Sequence, residues 1–151
     1  MTIKEYPQQQ LAAQPIGYWT RAAADLVIGG LRTALAEEQL TQPHWWTLNH
    51  VAATPGHWTR EALTAKLAPF DDQDTDFQAL HADLTARGWL TEADDHLTLT
   101  EAGEAGRLRA HARNAKVHTA MREGIDDAAY AATINTLRRL VANLGGNGDL
   151  P

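Results

Sequence analysis

Cysteine is absent from this 151-residue chain, and with it go disulfides, thiolate catalysis, cysteine-based zinc sites and cysteine redox sensing. No apolar run approaches the roughly 20 residues that a membrane-spanning helix requires, and no low-complexity tract breaks the chain. Residues Met1 to Gln10 lack a basic start followed by an apolar stretch, which argues against a secretory signal and makes the cytoplasm the expected location. Also missing are a Ser/His/Asp order, a phosphate loop and a glycine fingerprint, so neither an enzyme nor a cofactor is expected. His111 and His118 share one helical face but stand about 10.5 Å apart along its axis, too far to hold one metal alone. His44, His50 and His57 straddle a helix and a Pro-Gly break, and solvated or core-edge positions are expected for them.

Positive charge is short as well: 13 lysines and arginines face 19 carboxylates, for a net charge of −6. The deficit is local. Between Asp71 and His96 stand eight carboxylates, Asp71, Asp72, Asp74, Asp76, Asp83, Glu92, Asp94 and Asp95, against Arg87 alone, so this segment by itself carries −7. Such a balance weighs against contact with a polyanion.

What is present centres on residues 59–100. Thr59 is a candidate N-cap for a helix that Glu61 favours and Pro69 stops. Asp71 or Asp72 is the expected cap of a second, longer helix, in which Phe77, Leu80, Leu84 and, past Gly88, Trp89 fall on one buried face. Leu90-Thr91-Glu92 and Leu97-Thr98-Leu99-Thr100 alternate around a polar turn, which signals a hairpin. Helix, helix and hairpin in that order make a winged helix-turn-helix, a module that lays its second helix in a DNA major groove.

The flanks are helical. After a polar arm, apolar residues from Ile16 and Trp19 through Leu26, Leu31 and Leu35 repeat at helical spacing to about Leu40. Gly29-Gly30 inside that helix costs roughly 1 kcal/mol per glycine, a cost understandable where something approaches closely. Thr41-Gln42-Pro43 starts a short helix that Thr54-Pro55-Gly56 ends. Trp45, Trp46 and Trp58 cluster there; a core seam is the first expectation, an aromatic ligand pocket the second. Beyond the hairpin a long helix runs to about Arg122, with Leu108, Ala112, Ala115 and Met121 as its expected apolar stripe and a cluster of arginines beside it. Asp126 caps the last helix, whose Tyr130, Ile134, Leu137, Val141 and Leu144 step by four and three and form a helix-pairing seam.

This order of elements, with Leu97-Thr98-Leu99-Thr100-Glu101-Ala102-Gly103 leading out of the wing, resembles the MarR family of bacterial transcriptional regulators from about Ile16 to Leu144. The fold class expected is mainly α with a small β-hairpin wing. The resemblance implies one intertwined domain: an arm at 1–15, a dimerisation region at 16–40 and 101–145, a winged lobe at 41–100 and a tail at 146–151. It further implies a homodimer reading double-stranded DNA, often in response to a small aromatic ligand. The seam, together with Ile16, supplies candidate dimer contacts. Candidate ligand residues are Tyr18, Trp19, Trp45, Trp46, His50 and Trp58. Candidate DNA contacts are Arg60, Lys66, Gln73, Thr75, Gln78, His81, Arg87 and His96, with Gln78 suited to adenine and Thr75 to phosphate or a thymine methyl.

The chain departs from the family where that family touches DNA. Members usually carry an Asp-x-Arg pair in the wing, whereas Asp94-Asp95-His96 forms this tip and the wing has no arginine. A second reading follows, in which a winged-helix dimer has lost duplex binding and acts through a protein partner or a small ligand.

Overall fold

The computed structural model describes residues 2–151. Met1, the start of the expected arm, lies outside the described residues. Seven α-helices and one antiparallel hairpin follow in the order α1 (Gln8–Ala12), α2 (Ile16–Ala36), α3 (Gln42–Ala53), α4 (Arg60–Leu67), α5 (Phe77–Ala86), β1 (Leu90–Ala93), β2 (His96–Leu99), α6 (Glu101–Met121) and α7 (Asp127–Asn143). A 3₁₀ turn at Ala68–Phe70 closes α4 at Pro69. No helix among the described residues is long and apolar enough to cross a membrane. The chain divides into one compact unit ending at Val117 and another from His118 to Pro151.

In the first unit the core belongs to the winged lobe. Leu48 and Val51 of α3, Leu63 and Leu67 of α4, and Phe77, Leu80 and Leu84 of α5 bury together with Leu90 and Leu97 of the hairpin. Leu35, Leu40 and Ala110 tie α2 and α6 to the same cluster. Local chemistry sets the helix starts. The Thr59 hydroxyl accepts from the Ala62 N–H at 3.1 Å, as the sequence predicts. For α5 the cap is Asp76, which accepts from the Ala79 N–H at 3.0 Å. Asp71, one of the two expected caps, instead accepts from the Thr75 N–H at 2.7 Å and the Thr75 hydroxyl at 2.8 Å, closing the loop before the helix. Four aspartates within six residues are each able to cap, and the one standing next to the first buried residue, Phe77, does so.

The wing pairs Leu90 with Leu99 and Ala93 with His96. Its two-residue turn holds Asp94 at φ 51° and Asp95 at φ 64°, the left-handed geometry that matches strand twist and that aspartate tolerates. An isolated bridge from Thr59 to His96 adds the segment before α4 to the same sheet.

Helix α6 corrects the stripe expected from its sequence. Leu108 is exposed, and the buried positions are Gly103, Gly106 and Ala110. Trp89 explains them. A Cβ on Gly103 would lie 2.2 Å from the Trp89 carbonyl oxygen, and one on Gly106 would lie 2.4 Å from the indole ring. Two glycines thus let the last turn before the wing lie directly on α6. On α2 the close approach inferred at Gly29-Gly30 occurs at Gly30, where a Cβ would meet Val117 Cγ1 at 3.1 Å, while Gly29 has nothing within 4 Å.

In the second unit Asp126 caps α7 by accepting from the Ala129 N–H at 2.7 Å. Arg122 pairs with Asp127 at 2.6 Å and lies over the Tyr130 ring at 4.1 Å. Ile134, Val141 and Leu144 of the seam are exposed, and Tyr130 and Leu137 are half-buried.

Candidate nucleic-acid interface

Helix α5 turns Phe77, Leu80, His81 and Leu84 inward. Its outward face therefore consists of Gln78, Ala79, Ala82, Thr85 and Ala86, with Asp83 at the edge. That face carries little charge. The acid of this segment is used elsewhere: Asp71 and Asp76 cap the loop and the helix, Asp72 pairs with Arg32 of α2 at 2.7 Å, and Asp83 is held between His44 at 3.0 Å and Arg87 at 2.8 Å. In the wing Glu92 accepts from Arg60. Asp74, at φ 53° in the loop, and Asp94 and Asp95 at the wing tip are exposed carboxylates outside these pairs.

Several predicted DNA contacts are placed differently by the fold. His81 is 1% exposed and faces the core, because its position on α5 follows Leu80 and precedes Leu84 by three. Its Nε2 has no hydrogen-bond partner, and burial, with Arg60 nearby, lowers its pKa from the usual histidine value. Gln73 and Thr75 lie in the loop ahead of α5, and Thr75 is engaged by Asp71. Arg87 donates to the Gln39 carbonyl at 2.8 Å, pairs with Asp83 and stacks its guanidinium 5.5 Å from the Trp89 ring centre, so it clamps the end of α5 to the turn after α2. Arg60 sits at the start of α4 but is tied to Glu92. His96 Nδ1 meets the Asp94 carbonyl at 2.6 Å within the wing turn. Gln78 and Lys66 remain exposed.

Sequence reasoning missed His44. The obligatory donor Thr41 N–H reaches His44 Nδ1 at 3.2 Å, so that nitrogen accepts and the ring proton sits on Nε2, where it donates to Asp83. A capping box at the start of α3 is thereby linked to the middle of α5. Burial lowers the His44 pKa and outweighs the opposing pull of Asp83. For Asp83, burial works to raise the pKa, but hydrogen bonds from Arg87 and His44 hold it below the carboxylate range. The signal available in the sequence was histidine at the third position after Thr41, where a capping box wants a side-chain acceptor.

A second charged cluster joins α2 to α6. Glu38, with its side chain only 10% exposed, accepts from Arg109 at 3.1 Å and Arg113 at 2.6 Å, and these bonds, from Arg113 first, lower its pKa. Arg113 also pairs with Glu37.

The candidate ligand residues divide into two groups. Trp45 is buried and stacks on His111 at 6.3 Å, while Trp46 and Trp58 pack against the core. His50 accompanies Trp58 at 6.0 Å and meets the Trp46 carbonyl at 2.9 Å. Tyr18 and Trp19 form an exposed edge-to-face pair on α2 at 5.1 Å. A groove of about 440 Å³ lies instead between α2 and α6, lined by Gly30, Thr33, Glu37, Arg113, Lys116 and Val117.

No family model matches the sequence, and no curated protein matches it. Solved structures do match the fold. A MarR family transcriptional regulator from Silicibacter pomeroyi superposes with a TM-score of 0.68 at 17% identity, covering 92% of this chain and 99% of that one. The Mycobacterium tuberculosis MarR family protein Rv2887, in complex with DNA, gives 0.64 at 20% identity over 84% of this chain and 98% of that one. CouR from Rhodococcus jostii, bound to p-coumaroyl-CoA, gives 0.64 at 21% identity over 85% and 92%.

Proposed function

From the fold that it shares with MarR-family regulators, we propose that this chain is a homodimeric DNA-binding transcriptional regulator that lays α5 in the major groove. The observation that carries the reading is the outward face of α5: solvent-exposed, nearly uncharged, and flanked by aspartates already engaged by Arg32, Arg87, His44 and backbone N–H groups. An acidic segment presented as a whole would repel a duplex that carries one negative charge per roughly 1.7 Å. Here three of the eight carboxylates, Asp72, Asp83 and Glu92, are ion-paired with Arg32, Arg87 and Arg60, and Asp71 and Asp76 accept backbone N–H groups. Lys66, in the last turn of α4, is an exposed cation available to a phosphate. The wing tip, with Asp94 and Asp95, offers nothing to the minor groove, so base reading falls to α5. A dimer is supported by the apolar side chains that each unit leaves exposed: Ile16, Trp19, Leu26 and Val27 on α2, and Ile134, Val141 and Leu144 at α7. The aromatic acyl ligand of CouR supports a small aromatic acid as the effector class, and Lys116 in the α2–α6 groove provides a cation for its carboxylate, Arg113 being held by Glu37 and Glu38.

Two outcomes are expected. Fluorescence anisotropy on labelled genomic fragments shows affinity falling steeply with salt, and Lys66→Ala weakens all sequences alike while lowering the slope of log K against log salt by about 1. Absence of binding at low salt refutes the reading and leaves the dimer without duplex binding. Sedimentation velocity finds a dimer, and Ile134→Asp combined with Val141→Asp converts it to a monomer with far weaker DNA binding, because two lobes no longer engage one duplex.

A further inference from the structure

The reading face of α5 is chemically narrow. The helix contains no lysine or arginine, so it lacks the commonest guanine contact, a cationic fork on O6 and N7. Asp83, which is able to accept from cytosine, is held by His44 and Arg87. The Thr85 hydroxyl donates to the His81 carbonyl of its own helix at 2.8 Å. What remains are three methyl groups, Ala79, Ala82 and Ala86, spaced three and four residues apart on one stripe, with the exposed amide of Gln78 one turn from Ala82. Glutamine pairs bidentately with adenine N6 and N7, and alanine packs on the thymine methyl. Both preferences point to the same base pair.

We infer that α5 selects half-sites built on A·T pairs, with Gln78 as the residue that determines specificity by pairing with one adenine and Ala79 and Ala82 packing against thymine methyls. The inference rests on the DNA-binding reading above and adds the sequence class that reading leaves open. The small side chains have a second effect. They let the helix backbone approach the groove floor more closely than long side chains allow, which brings the single amide of Gln78 within reach of a base edge.

The test is in-vitro selection from a random duplex library with the full chain at low salt, run in parallel for the wild type and Gln78→Ala. Gln78 is exposed and outside the core, so the variant folds, and a thermal melt checks this. The wild type is expected to enrich paired half-sites with A·T at their centres. Gln78→Ala is expected to lose its preference for adenine at one position in each half-site by roughly ten- to a hundredfold, leaving the flanking positions unchanged. Half-sites centred on G·C, or a profile that Gln78→Ala does not alter, overturn the inference while leaving the DNA-binding reading intact. No enrichment by the wild type overturns both.

Discussion

Gly103→Ala is expected to destabilise the lobe by about 3 kcal/mol, the upper part of the range for overpacking, read as a lower denaturation midpoint at fixed protein concentration. The reason is what the new methyl meets. It would sit 2.2 Å from the Trp89 carbonyl oxygen, which is backbone and has no rotamer to change. That carbonyl also accepts from the Thr100 N–H at 3.0 Å, and the Thr100 hydroxyl accepts from the Gly103 N–H at 3.0 Å, so moving it disturbs the whole exit from the wing. The penalty extends to function. Trp89 lies between Arg87 and Arg109, whose guanidinium carbons stand 5.5 and 5.8 Å from its ring, and Arg87 anchors the end of α5. A displaced Trp89 therefore tilts α5, and under the proposed function DNA affinity falls along with stability. Unchanged unfolding midpoints in the variant would contradict the close packing of Trp89 on α6.

Stability is also expected to fall as pH drops below 6.5, well before the carboxylates titrate. His44 and His81 both have folded pKa values below the 6.5 of an unperturbed histidine, in each case first because of burial. A histidine shifted that way binds its proton more readily in the unfolded chain, so its stabilising effect is complete above pH 6.5 and is lost as pH falls toward the folded pKa. Each residue contributes at most one proton to the slope, hence no more than about 1.4 kcal/mol per pH unit. Glu38 and Asp71 are shifted the same way from values of 4.5 and 3.8, so their loss begins only below those values. Two windows result. Urea unfolding between pH 8 and 5 reads the first, and His81→Leu, which removes an unpartnered buried nitrogen while keeping apolar volume, is expected to flatten it. Protonation of His44 has a further consequence, since a proton on Nδ1 would face the Thr41 N–H and open the capping box that starts α3. A profile flat from pH 8 to 5 would rule out both histidines as the source.

Much of this molecule was legible from residue order. The caps at Thr59 and Asp126, the stop at Pro69 and the wing between Leu90 and Leu99 depend on chemistry within a few residues of each site, whereas α2 ends at Ala36, a turn short of the expected Leu40. Gly30 was legible as a close approach, though its partner Val117 was not. Spacing placed Leu108 on the buried stripe of α6, whereas Trp89, arriving from outside that helix, requires the smallest residues on the buried side. His81 stands four residues after Phe77 and three before Leu84, so helical spacing puts it on the same buried face as Phe77, Leu80 and Leu84.

The amino-acid order by itself determined the succession of elements from α2 onward and the total charge, because capping, breaking and alternation act over one or two turns of chain; the short α1 at Gln8–Ala12 stands where only an arm was expected. Only the tertiary structure decided where that charge acts. Arg32, His44 and Arg60 reach their aspartate and glutamate partners across 40, 39 and 32 positions of chain, and pairing at such separations is set by packing rather than by local sequence.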